Sequence, residues 1–189
     1  MKTDYSENPN VKKSQPADSA GQYGTVEGKV RSVVMSMGEA LVPEMGADAC
    51  VSTPAYGKVH YTFNDWTRAN IDIDKIPLPC IVYILPPSGT FLLKNGHAKD
   101  IPEAAIAFLD RTVLDDNSVI DDSVVEKMKR LALAFIDSVN GSGLFETVEG
   151  ELRYQVPVDI LDSIVSGIII HPKLKEVAGV RLCDTNLIR

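Results

Sequence analysis

The sequence carries few of the side chains that chemistry usually needs. Its 189 residues include three histidines and three cysteines, spread over unrelated segments. His60, His97 and His171 have no Cys, Asp or Glu at ligand spacing, which reads against a zinc site and a histidine-centred catalytic group. Cys50, Cys80 and Cys183 form no CxxC pair and read as buried or neutral thiols, not as a redox or metal centre. Ser88 lies in PPSGT, which is not a GxSxG elbow and has no following GK[ST], so it reads as a turn. The glycines of GSG (141–143) follow a helical pattern instead of opening one, so they cap it and do not cradle a dinucleotide. The acidic stretch DDNSVIDDSVVE fails as a calcium loop. Aligned on Asp115, it puts Asn117 and Glu126 at ligand positions, but Val119 takes another ligand position and Ile120 that of the turn glycine. No catalytic residue, cofactor site or metal ligand is assigned.

Other absences exclude whole classes. No apolar run approaches the ~20 residues of a membrane span; PCIVYILPP and SGIIIHP are of strand length. The opening MKTDYSENPN lacks the apolar stretch of a secretory signal, so synthesis and retention in a cytoplasm are expected. Basic residues occur only as short pairs, Lys12-Lys13 and Lys129-Arg130, within a net charge of -7. That reads against a dedicated binder of nucleic-acid backbones. It is compatible with ordinary solubility, or with a wall past which DNA slides without being held. Trp66, the lone tryptophan, reads equally as a packing anchor or an interface aromatic.

What is present is strand and helix. Residues 1–24 are polar and poor in aliphatics, the composition of an extended or disordered arm; residues 25–189 read as a single domain. Val26, Val30, Val33, Met37 and Leu41 recur at steps of three and four, predicting a helix stopped near Pro43. YGKVHYTFNDW alternates as a half-buried strand, with Val59, Tyr61 and Phe63 on one face. CIVYIL reads as a central strand, and Asn95-Gly96 as a hairpin turn. Residues 104–113 read as another strand. A helix follows with Ser123 as N-cap, Glu126 as its capping-box partner and a stripe of Val125, Met128, Ala132, Phe135, Ile136 and Val139; Asn140-Gly141 ends it. Residues 153–172 read either as a hairpin or as one long projecting strand, with Pro157 marking an edge or bulge. GVRLC adds a short last strand. The expected fold is α+β, a single antiparallel-rich sheet with two main helices packed on it and an extended N-terminal arm.

This order of elements, with the closing pattern SGLFETVEGELRYQVPVDILDSIVSGIIIHPKLKE, resembles the tail-terminator or tail-completion (neck) proteins of long-tailed phages over about residues 25–185. The arm and the proline-rich KIPLP corner depart from that pattern. The resemblance implies a non-enzymatic virion protein, without cofactor, that assembles in the host cytoplasm. It implies a homo-oligomeric ring, usually a hexamer, at the head-proximal end of the tail. Such a ring terminates the tube and contacts the tail-tube protein and a head-completion or neck protein. DNA passes through its lumen without specific binding, and no membrane is involved. On this reading Tyr154, Val156, Val158, Ile164, Val165, Ile168 and Ile170 are expected at the subunit interface, together with the arm. Two alternatives stand beside it. One is a dodecameric head–tail adaptor. The other is a small cytoplasmic α+β ligand-binding domain or enzyme with a pocket around PPSGTFLLKNGH.

Overall fold

A computed structural model describes residues 25–64, 75–112, 122–157, 165–177 and 180–181. The fold is α+β: two helices and ten strands among the described residues. The expectations for residues 1–24, Trp66, Cys183 and the acidic stretch before the second helix lie outside the described residues.

Helix α1, Val26–Ser36, is capped by Thr25, whose Oγ1 accepts the Gly28 N–H at 3.0 Å. It buries Val26, Val30, Val33 and Val34. The helix ends short of the expected Leu41. A Cβ on Gly38 would overlap the Ser52 carbonyl oxygen, so the chain there lies directly against the second strand. That close approach turns the chain, and Leu41 falls in strand β1, Glu39–Leu41.

The main sheet adds β2 (Ala49–Thr53), β3 (Gly57–Asn64), β4 (Cys80–Ile84), β7 (Ala105–Arg111), β8 (Tyr154–Gln155) and β9 (Val165–Ile170). Its order is β1-β2-β3-β4-β7-β9-β8, antiparallel throughout except for the parallel pair β3–β4. Strand β3 is an interior strand, and Val59, His60, Tyr61 and Thr62 are all buried. The half-buried strand read from its alternation is thus covered on both faces at its middle.

Both helices pack on one face of this sheet. Helix α2, Asp122–Gly141, buries Val125, Met128, Leu131, Ala132, Phe135 and Val139 against the rung Tyr61, Ile81, Phe108 and Ile168. The helix begins at Asp122, so Ser123 lies inside its first turn and does not precede it. The opposite face carries a smaller cluster of Ile76, Cys80, Val82, Ile84, Ala107 and Leu109.

Strands β8 and β9 pair antiparallel, Tyr154 with Ile170 and Gln155 with Ile169. The chain therefore doubles back between them, and one long projecting strand is excluded. Alongside the expected sheet stands a second of three strands, β10 (Val180–Arg181), β6 (His97–Pro102) and β5 (Gly89–Lys94). Its hairpin turns at Asn95 and Gly96, both at positive φ (52° and 74°), as a two-residue turn of type I′ requires. No described helix is long and apolar enough to cross a membrane.

Candidate functional site

The main sheet ends in two short strands, each an open row of backbone donors and acceptors among the described residues. Large apolar side chains stand out near both ends. Beyond β1, Val42 and Met45 are 87% and 95% exposed; on β8, Tyr154 is 51% exposed. The Tyr154 ring also lies under the Lys129 ammonium, 4.9 Å from Nζ to the ring centroid.

Of the seven residues expected at an interface, the five that the structure describes are not one surface. Tyr154 is exposed, whereas Val156 is half-buried against the main core and Val165 against the smaller cluster. Ile168 and Ile170 are each 2% exposed and belong to the core beneath the helices. Their side chains are occupied inside the subunit, so this strand would reach a neighbour through other groups. Val158 and Ile164 lie outside the described residues.

The segment PPSGTFLLKNGH does border a cleft. About 340 Å³ in volume, it lies between the start of α1, the ends of β3 and β4, and the β5–β6 hairpin. Its walls include Phe63, Tyr83 and Phe91, with the carboxylates of Glu27 and Asp100. Phe63 and Tyr83 stack, their centroids 5.5 Å apart. Glu27 accepts a 3.3 Å hydrogen bond from the Tyr61 hydroxyl. Burial, and then the charges of Asp100 and Glu27, hold the Tyr83 hydroxyl neutral well beyond the usual phenol range. Neither carboxylate has a cationic partner among the described residues. Ser88 Oγ donates to Glu103 Oε2 at 2.5 Å, which fixes the turn into β5.

Two arrangements were hidden in the sequence. Lys29 and Glu176 form an ion pair at 2.5 Å with both side chains largely buried, and Glu176 Oε2 also accepts the Asp100 N–H at 3.3 Å. The pair ties α1 to the C-terminal segment and to β6. Cys50, His60 and Cys80 occupy one cross-strand rung, on the face away from the helices. The two cysteines are two strands apart, on the order of 10 Å between Cα atoms, which is beyond disulfide reach. Burial pushes both thiols up in pKa, so they stay protonated. No described group of three His, Cys, Asp or Glu side chains is placed to hold a metal ion.

His60 is 2% exposed, its Nδ1 makes no hydrogen bond, and its Nε2 lies 3.9 Å from Glu44 Oε1. Burial depresses its pKa, with Glu44 opposing and Lys58 assisting. The unfolded chain therefore takes up the proton first. The stability linked to His60 is fully present above the unfolded value of ~6.5 and is lost as pH falls through the lower folded value. Urea midpoints are expected to drop between pH 7.5 and 5.5 in the native chain, and to drop less in His60→Leu. Equal drops would contradict this account.

No family model matches the chain, and no curated protein matches it.

Proposed function

We propose that the protein is a structural subunit of a ring at the head-proximal end of a phage tail, where it terminates the tube and joins it to the neck. The observation that carries this reading is the pair of ends left open on the main sheet among the described residues, with Val42 and Met45 exposed near one and Tyr154 at the other. Two different ends brought together, head to tail, make a heterologous contact, and such contacts close into rings when the rotation allows. Edge pairing would supply the backbone hydrogen bonds, and the exposed apolar residues the desolvation. The net charge of -7 suits a channel that DNA passes without sticking. A twelve-membered adaptor beneath the portal uses the same kind of contact and differs in stoichiometry. The ligand-binding alternative has the cleft in its favour, and a monomer that a small molecule stabilises saturably would speak for it.

The contact is tested by placing charge in it. Val42→Glu combined with Met45→Glu is expected to weaken self-association by ~100-fold or more, at about 1.4 kcal/mol for each side chain. Because both residues are exposed, thermal stability of the subunit should change little. Sedimentation velocity and circular dichroism read the two effects separately. Undiminished association would remove this end of the sheet from the interface.

A further inference from the structure

Strand β5 is the free edge of the three-stranded sheet among the described residues, and all six of its residues are exposed. Phe91, Leu92 and Leu93 are exposed at 72%, 46% and 64%. Three adjacent large apolar residues on an unpaired edge form a template for another strand. The acidic cleft opens on the same strand: Phe91 lines it, and its cross-strand partner Asp100 supplies one of the two carboxylates. An extended segment laid along β5 would therefore bring alternate side chains to the cleft. Those carboxylates select a cationic side chain flanked by an apolar one.

We propose that the occupant is this chain's own N-terminal arm, with residues 10–15 added to β5 as a fourth strand. Asn10 to Gln15, NVKKSQ, is bounded by Pro9 and Pro16 and contains no proline itself. Its six residues match the length of β5, and neither proline interrupts the ladder. Val11 and Lys13 alternate onto one face, which sets an apolar side chain beside Phe91 and an ammonium beside Asp100 and Glu27. The arm joins the described chain at Thr25, next to Val26 and Glu27, both of which line the cleft. The nine residues between Gln15 and Thr25 span up to ~30 Å when extended, ample to return to β5 of the same subunit. The arm would then cover the apolar edge and neutralise the cleft, whether or not subunits assemble into rings.

The test uses the full chain with Leu92→p-benzoylphenylalanine, irradiated and mapped by mass spectrometry, with unlabelled and nitrogen-15-labelled chains mixed. The expected result is a cross-link within residues 10–15 joining partners of the same isotope. In Lys12→Glu/Lys13→Glu the yield should fall at least fivefold, while circular dichroism shows the fold retained. Cross-links confined to other segments, or none at all, would overturn the proposal. A yield indifferent to the charge reversal would do the same, as would isotope-mixed pairs, which would hand the site to a second copy.

Discussion

Gly167→Ala should destabilise the protein by about 3 kcal/mol or more, although alanine in a strand ordinarily improves on glycine. Gly167 sits in β9 opposite Leu109 of β7. A Cβ built there overlaps the Phe108 carbonyl oxygen and comes within 2.9 Å of the carbonyl carbon and 3.1 Å of Leu109 Cα. These are backbone atoms of a central strand, so no rotamer change relieves the clash. The two strands must separate, and they carry Phe108, Ile168 and Ile170, all in the main core. Against a typical total stability of about 5–15 kcal/mol, such a loss leaves little margin. Urea unfolding followed by circular dichroism measures it. A variant as stable as the native chain, or more so, would show that β7 and β9 do not approach this closely.

Phe135→Ala is the second large effect, expected at about 3–5 kcal/mol. Phe135 on α2 is fully buried and meets Phe108 edge to face, the centroids 5.7 Å apart and the rings at 61°. That contact joins helix to sheet within the main core, and surroundings relax only partially into such a space. Leu133, two residues earlier, is 65% exposed. Leu133→Ala is accordingly expected to change stability by no more than about 0.5 kcal/mol. A lowered urea midpoint for Phe135→Ala with unchanged slope, beside an unmoved Leu133→Ala, is the expected pattern. Similar losses in the two variants would contradict the placement of the α2 face.

The parts of this fold legible in the sequence are those decided by short-range physics. The α2 stripe needed only helical periodicity, the β5–β6 turn only Asn95-Gly96, and β4 only an apolar run between prolines. Periodicity failed where a distant segment intervened. Helix α1 stops early because Gly38 lies against β2, and β3 is buried on both faces because segments distant in sequence pack over it, the helices among them. The Lys29–Glu176 pair joins residues 147 positions apart, and no local pattern announces it. The rung of Cys50, His60 and Cys80 likewise exists only once the register is known. The interface reading shows a different limit. Ile168 and Ile170 are as apolar as any contact residue, but apolarity alone does not say whether a side chain meets its own core or a neighbour's. The exposed set, Val42, Met45, Phe91, Leu92 and Leu93, is no more hydrophobic than the buried one; only burial separates them.

On the proposed function, copies of this subunit close head to tail into a ring. The most direct measurement is the mass of the purified full chain by light scattering across concentration, with negative-stain imaging of any large species, alone and on added tail tubes. The account predicts closed rings of six subunits; rings of twelve would keep the closed head-to-tail contact and move the assignment to the adaptor. A chain that stays monomeric at every concentration, with tubes present as well as without, would contradict it.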